Sequence, residues 1–523
     1  MSDESMHGAD QTARKVIEEK GDKPKYTVAA GITPSGTIHI GNFREIITVD
    51  LIHRALKDLK KQVRFIYSWD DYDVFRKIPA DAPKKELLEK YLRFPITQVP
   101  DTYDEKHSSY AEHNEKEVEN TMPIVNIKPQ FIYQAQKYGN CEYAEEIKHA
   151  LKNKEEIKKI LDKYRTEERG ENWWPASVFC DRCKKDATKV LDWDGSYALT
   201  YECKCGHKET FDFRKKGIAK LPWRIDWPMR WHYENVDFEP GGKEHSTEGG
   251  SRTTAVEIFE LLYKETPPIY LKYDFITIKG KGGKISKSLG NVVSLGDALE
   301  IYEPAIVRYL FASTRPDAEF AISFDLDVLK IYEDFDKCER IYCKKEEADE
   351  REHNKQKRIY ELSCVDAPSK KMPFQPSFRH LCNVVQIYEN DFDKIKQEYG
   401  LKEKDDIERL KTRAKCAWNW LQKYAPEDMK FHVQNEASIK LGEKEKEAVN
   451  KLINYLEKHE KVEEKLLYDE FYNIAKGSGI EPSEFFKACY RILIGKERGP
   501  KLAGFILTLG KERVLKLLSL LSL

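Results

Sequence analysis

Between Lys25 and Ala30 (KYTVAA) apolar and polar positions alternate among β-prone residues, and the run ends in the turn-forming Gly31-Ile32-Thr33-Pro34-Ser35-Gly36. Alternation stopped by Gly and Pro predicts a strand entering a tight loop. From Asn42 onward the period changes, and Ile46, Ile47, Leu51, Ile52, Ala55 and Leu56 recur at helical spacing. A second strand pattern follows at Val63–Ser68 (VRFIYS). Strand, glycine loop, helix and strand form a βαβ unit, which implies a parallel sheet with a ligand site at its carboxyl ends. The expectation is an α/β, Rossmann-like domain.

That rhythm stops near residue 95. A stretch of charged helix formers (EEIKHALKNKEEIKKILDKY) and a cysteine cluster occupy the next segment, which reads as an insertion over residues 96–219. Strand-and-turn character returns at Trp223–Trp231 and at Ile269–Ile278, completing the sheet over 220–330. Beyond 330 glycine becomes sparse and helical patterns dominate, broken by a loop with Pro368, Pro373 and Pro376. The predicted organisation is an N-terminal helical extension (1–24), a Rossmann-like catalytic domain (25–95 and 220–330), the insertion, and an all-α domain over 331–523.

A chain of 523 residues exceeds one ordinary domain. Lys and Arg number 89 against 90 Asp and Glu, so total charge gives no hint of a nucleic-acid partner and such a partner must be sought locally. No apolar run approaches the ~18 residues of a membrane span. The first residues, Met1-Ser2-Asp3-Glu4-Ser5, lack the pattern of a secretory or transit peptide, so the expected location is cytoplasmic with no membrane partner. Eleven cysteines are too few for a disulfide framework, but four of them fall between Cys180 and Cys205.

Two motifs carry chemistry. Thr33-Pro34-Ser35-Gly36-Thr37-Ile38-His39-Ile40-Gly41-Asn42 joins a strand to a helix start, where unpaired N–H groups and the His39 and Asn42 side chains suit an anion; the alternative is a tight connection whose His39 caps the helix. Lys284-Ile285-Ser286-Lys287-Ser288 lies in KGKGGKISKSLGN, a cationic loop suited to a departing pyrophosphate or, alternatively, a solvated basic turn. In this order and about 245 residues apart, the two resemble the HIGH and KMSKS motifs of class I aminoacyl-tRNA synthetases, with Asn42 in place of the last His and Ile285 in place of Met.

Within that class the chain resembles the class I lysyl-tRNA synthetases. The likeness rests on GITPSGTIHIGNFRE (31–45), SWDDYDVFRKIP (68–79), LPWRIDWPMRW (221–231), GKEHSTEGGS (242–251), FQPSFRHL (374–381) and IGKERGPKLAGFI (494–506). It departs where His7-Gly8-Ala9-Asp10 replaces HWAD and where Glu244 replaces Asp. The resemblance implies activation of L-lysine with ATP and Mg2+ and transfer to the 2'-hydroxyl of the terminal adenosine of tRNA(Lys). It implies catalytic roles for His39, Asn42, Lys284 and Lys287, and ATP contacts from Pro34, Ser35, Gly36, Gly41, Ser286 and Ser288. It implies a lysine pocket of Gly31, Thr33, Trp223, Asp226, His245 and Tyr273, in which a carboxylate meets the ammonium and flat side chains hold the methylenes. The carboxylates Asp70, Asp71 and Asp73 either join that pocket or cap the next helix. A glutamyl-tRNA synthetase is the nearest rival and would want a basic side chain facing the substrate carboxylate.

Cys180-x2-Cys183 and Cys203-x-Cys205 have the paired spacing of a structural zinc ribbon, with His207 as an alternative to Cys205. Relatives carry an Asp/Cys/His/His metal group where this chain has Asp101, His107 and His113 without the cysteine; these either hold a second metal ion or are surface polar residues. Residues 331–523 hold 37 basic and 35 acidic side chains, yet 487–523 carry eight cations (Lys487, Arg491, Lys496, Arg498, Lys501, Lys511, Arg513, Lys516) against Glu497 and Glu512. That surplus is a phosphate-contacting patch or an ordinary helix surface. Trp418, Trp420 and Tyr424 either stack on bases or fill the core.

Overall fold

The computed structural model describes residues 6–80, 82–274, 276–279, 293–369, 371–435 and 439–519. The chain divides into two units. The first comprises residues 1–298, 304–322 and 344–368, and the second 299–303, 323–343 and 369–523.

The first unit opens with α1 (Gly8–Lys20), whose N-cap His7 accepts from Ala9 N–H and approaches the Ala312 carbonyl at 2.8 Å. Arg358 holds Asp10 through two nitrogens, so α1 is anchored without the tryptophan of HWAD. The predicted βαβ unit follows as β1 (Tyr26–Ile32), α2 (Ile40–Asp58) and β2 (Val63–Trp69), with β1 and β2 parallel from Tyr26↔Val63 to Ile32↔Trp69. Tyr26 to Ala30 are all buried, as expected of a strand covered on both faces.

The sheet continues where an insertion was expected. Strand β3 (Gln130–Tyr133) lies parallel to β2, giving the order β1-β2-β3, so residues 130–133 belong to the central sheet. On the other side of β1, Val28 bridges Phe238 and Phe238 bridges Ile269, both parallel. The cysteine segment forms an antiparallel sheet of β4 (Thr188–Trp193), β5 (Ala198–Cys203) and β6 (Lys208–Asp212). Its Val190, Leu199, Tyr201 and Phe211 share one apolar cluster with Tyr138, Ile147, Leu221 and Ile225, so this segment borrows core from its neighbours.

Residues Trp223–Tyr233 are a helix, α3, where sequence suggested a strand. Aromatic richness mimics a β signal and Pro228 argues against a helix interior, but Trp223, Trp227 and Trp231 recur every fourth residue and meet at centroid distances of 5.0 Å for both successive pairs. Helix α4 (Ser251–Tyr263) packs beside α3.

The boundary is threaded across residues 299–368 and is not a single cut at 330. The helix Glu350–Ser363 belongs to the first unit, where its Leu362 carbonyl accepts from Arg308, which is 0% exposed. The second unit is helical from Asp327–Tyr342 through Lys511–Ser519. There the equally buried Arg413 binds both oxygens of Asp336 at 2.9 Å and pairs with Glu303. Trp420 is core, its indole N–H on the Phe324 carbonyl at 3.0 Å. No described helix is long and apolar enough to cross a membrane.

Candidate functional site

The carboxyl ends of β1 and β2 and the N-terminus of α2 meet at a cleft of about 470 Å³. Gly31 is there because β1 and β2 approach closely: a Cβ at this position would lie 2.8 Å from the Ser68 carbonyl oxygen. His39 and Asn42 form a reciprocal cap on α2, His39 Nδ1 accepting from Asn42 N–H at 3.3 Å and Asn42 Oδ1 from His39 N–H at 3.2 Å. This is the capping role weighed against phosphate binding. It fixes the tautomer, since a neutral ring accepting at Nδ1 carries its proton on Nε2, and it leaves the Asn42 amide NH2 as a donor. Gly41 is imposed by the same cap, because a Cβ would lie 2.8 Å from His39 Nδ1. Pro34, Ser35 and Gly36 form the loop leading into it, with Ser35 N–H on the Thr33 carbonyl at 2.8 Å.

Lys284, Ser286, Lys287 and Ser288 lie outside the described residues. The chain resumes at Val293, whose carbonyl accepts from Ile40 N–H at 2.7 Å, and His39 pairs with Ser294. In the sequence five residues therefore separate Lys287 from a point fixed to the first motif.

Of the expected lysine-pocket residues, Gly31, Thr33, Trp223, His245 and Tyr273 line this cleft together with Asn42. Behind it lies a smaller cavity of about 60 Å³. The two share Gly31, Glu45, Asp70, Trp223 and His245, and the inner one adds Trp227 and Trp231. His245 rests on Ser251 Oγ through Nδ1 at 2.6 Å, and burial lowers its pKa.

Asp226 is a correction. It lines neither cavity, is 1% exposed, and is spent on Arg230 and the Tyr138 hydroxyl. Arg230 also binds Asp70, so one guanidinium neutralises two carboxylates. The other two acids of the second strand's end are likewise committed, Asp71 accepting from Ala135 N–H at 2.8 Å and Asp73 pairing with Lys220 at 2.6 Å. Asp73 also accepts from Thr33 Oγ1 at 3.1 Å, which orients a cleft residue.

Besides Asp70, which Arg230 already neutralises, the carboxylate that faces both cavities is Glu45, which was not among the expected ligands. It accepts from Gly31 N–H at 3.0 Å and from the Tyr273 hydroxyl at 2.6 Å, and makes no ion pair among the described residues. Burial pushes its carboxyl up to about 8, against the pull of those two donors. The signal was available: Glu45 follows Asn42 by three residues, on the same face of α2. Glu239 also lines the inner cavity and receives the indole N–H groups of Trp227 and Trp231.

Four cysteines converge as expected. Sγ separations are 3.7 Å for Cys180–Cys205 and 3.5 Å for Cys183–Cys203, and all four sulfurs lie within 4.8 Å of one another. A tetrahedron with metal–sulfur bonds of ~2.3 Å has edges of ~3.8 Å, so the set fits zinc. His207 stays outside it, on Glu209. A second cluster gathers Asp101, His107 and His113 with Asp104, and its ligand atoms also lie within 4.8 Å of one another.

Residues 6–366 match the family model described as tRNA synthetases class I (K), and residues 392–519 match that of an anticodon binding domain. The chain belongs to the class I tRNA synthetases. A lysine–tRNA ligase of Borrelia garinii subsp. bavariensis is 52% identical to this synthetase over 518 residues, covering 98% of this chain and 99% of that one. The corresponding ligase of Treponema pallidum is 47% identical, covering 99% of both chains. That of Pyrococcus horikoshii is 41% identical, covering 98% of this chain and 99% of its own. The synthetase thus carries a class I catalytic domain followed by a helical anticodon-binding domain.

Proposed function

We propose that this chain is a lysine–tRNA ligase acting in the cytoplasm. An oxygen of the lysine carboxylate attacks the α-phosphate of ATP, the bond to the β-phosphate breaks, and lysyl-adenylate and pyrophosphate form. The 2'-hydroxyl of the terminal adenosine of tRNA(Lys) then takes the lysyl group and AMP leaves. Mg2+ accompanies ATP as the charge partner of its phosphates.

The observation that carries this reading is Glu45: a carboxylate with no cationic partner among the described residues, set against tryptophan walls beside the capped N-terminus of α2. A substrate ammonium supplies the missing charge, and Trp223 and Trp227 flank its methylenes. Gly31, Thr33, His245 and Tyr273 complete the pocket, while His39, Asn42, Pro34, Ser35, Gly36 and Gly41 face ATP with Lys284, Ser286, Lys287 and Ser288. In the adenylation transition state charge builds on the leaving phosphates, and on this reading Lys284 and Lys287 hold it. The rival substrate, glutamate, would find Arg230 already shared between Asp70 and Asp226. A structural zinc on Cys180, Cys183, Cys203 and Cys205 ties β5 and β6 to the strand and loop that precede them.

Amino-acid-dependent exchange of labelled pyrophosphate into ATP, run with all twenty amino acids, tests the proposal. Lysine should be the one efficient substrate; exchange with glutamate, or with none of the twenty, would overturn it.

A further inference from the structure

The tryptophan wall of the cleft is oriented from behind. Trp223, Trp227 and Trp231 sit four residues apart on one face of α3, each ring 5.0 Å from the next. Trp223, which lines the cleft, is 36% exposed, whereas Trp227 and Trp231 are buried. The Trp223 indole lies nearly parallel to that of Trp227, at 14°, with the Arg230 guanidinium 5.6 Å from its centroid. His245, another cleft residue, has its ring 5.7 Å from Trp227. Two side chains that line the cleft therefore rest on one that does not.

The outer torsion of a tryptophan side chain is broad, so packing alone sets its ring plane loosely. A directed bond sets it closely. Glu239 Oε2 accepts from Trp227 Nε1 at 3.0 Å and also from Trp231 Nε1, so one oxygen satisfies two buried donors. Glu239 is itself tied to the sheet. Its N–H donates to the Ile269 carbonyl at 3.1 Å, Phe238 before it bridges Val28 and Ile269, and Pro240 after it fixes the backbone. Behind Trp231, Arg252 stacks on that ring at 4.5 Å and on Tyr270 at 4.9 Å, and its charge favours the ionised form of Glu239.

An apolar wall alone would not require this. Phenylalanine at 227 and 231 would present similar faces with no carboxylate to bury, and burying a carboxylate is costly. The cost is explained if the orientation of the rings matters. We infer that Glu239 is a positioning residue for amino-acid binding: through two indole N–H groups it sets the plane of Trp227, and through Trp227 the faces of Trp223 and His245 that the substrate meets. The identity of that substrate, and the placing of its side chain against this wall, rest on the lysine–tRNA ligase reading. Glu239 and Glu45 then divide the work, one orienting the wall and the other meeting the ammonium.

The test compares the full chain with Glu239→Leu, which removes the acceptor, and with Glu239→Gln, which keeps an oxygen for the two indoles. Pyrophosphate exchange is measured at varied lysine and at varied ATP, alongside near-ultraviolet circular dichroism of the tryptophans. Glu239→Leu should raise the KM for lysine about tenfold, the worth of a well-oriented aromatic contact, with kcat and the KM for ATP within twofold of wild type. It should also change the tryptophan dichroism, and Glu239→Gln should restore both readouts. Trp227→Phe/Trp231→Phe, which keeps the rings but neither N–H, should raise the KM for lysine to a similar extent, and adding Glu239→Leu should raise it no further. That pair carries the test if Glu239→Leu does not fold. A KM for lysine within twofold of wild type in Glu239→Leu, or in the phenylalanine pair, overturns the inference. So does equal damage from Glu239→Gln and Glu239→Leu, which would make the carboxylate a direct ligand, and so does impairment of ATP and lysine use together, which would make the role merely structural. Absence of lysine-dependent exchange in the wild type would refute the ligase reading, and the dichroism of the Leu and Gln variants would then judge the positioning of the rings by itself.

Discussion

Glu45→Gln removes one charge and almost no volume. With its carboxyl at about 8, Glu45 is about nine-tenths protonated at pH 7, and ionising it to receive an ammonium costs ~1.4 kcal/mol. Breaking a buried, hydrogen-bonded charge pair by truncating one partner costs ~2–5 kcal/mol. The wild type has already spent ~1.4 of that at pH 7, so the variant should lose ~0.6–3.6 kcal/mol of lysine binding, or about 3- to 400-fold in KM. The pH dependence is sharper still. Below about 8 lysine binding expels the proton from Glu45, so wild-type kcat/KM for lysine should rise nearly tenfold per pH unit from 6 towards 8 and then level off. Glu45→Gln should be flat across that window. His245 is held below its ordinary value by burial and so is neutral there. Glu239, also raised by burial, is the internal control: Glu239→Gln should keep the wild-type slope.

The assay is pyrophosphate exchange at varied lysine and saturating ATP from pH 6 to 9, with thermal melts alongside. The linkage sign for the fold is opposite to that for lysine. Because the folded carboxyl ionises near 8 and an unfolded one near ~4.3, Glu45 costs the unliganded protein stability as pH rises between those values. Glu45→Gln should therefore melt no lower than wild type at pH 8, which separates a binding defect from misfolding. A variant KM within twofold of wild type, or a flat wild-type profile between pH 6 and 8, would show that Glu45 does not meet the ammonium.

Three further outcomes are expected. Cys180→Ser/Cys203→Ser should lose about one equivalent of zinc and destabilise the β4–β6 sheet, since thiolate coordination is coupled to folding; metal analysis finding zinc unchanged would dismiss the four-thiolate site. Lys287→Ala should slow lysyl-adenylate formation by ~10²-fold or more while sparing transfer from preformed adenylate, and equal slowing of both half-reactions in single-turnover experiments would make the loop a binding element only. A chain ending at 330 should be insoluble or markedly less stable than one ending at 368, because it strips the fully buried Arg308 of the Leu362 carbonyl that two of its nitrogens share; a well-folded 1–330 fragment would contradict that dependence.

The first βαβ unit was legible because everything that specifies it is local: alternation, a Gly-Pro loop, then a helical period within 45 residues. The four cysteines were legible for the same reason, since each pair sits on one tight turn. Strand β3 was not, because four residues, QFIY, carry too short a period to stand out beside long charged helices, and it becomes a strand by pairing with Ile66 to Trp69. The helix α3 reads as strand and turn in the sequence because tryptophan is β-prone and an internal proline argues against a helix, although the four-residue tryptophan spacing is present. The crossing of the units between 299 and 368 depends on which carbonyls the buried Arg308 and Arg413 find, and no local pattern encodes that.

The pocket shows the same division in its chemistry. That a carboxylate should meet the substrate was deducible from the substrate; which carboxylate depends on the cations already present. Asp226 looked suitable until Arg230, four residues later on the same helix face, consumed it together with Asp70. Glu45 is left without a cation among the described residues, held by one N–H and one hydroxyl that orient it without cancelling its charge. In a site of this kind selectivity follows from the deficit. A neutral or anionic amino acid cannot relieve a desolvated carboxylate, whereas a cationic side chain of the right length both relieves it and expels its proton, so discrimination against an uncharged isostere should widen as pH falls short of about 8 by less and less.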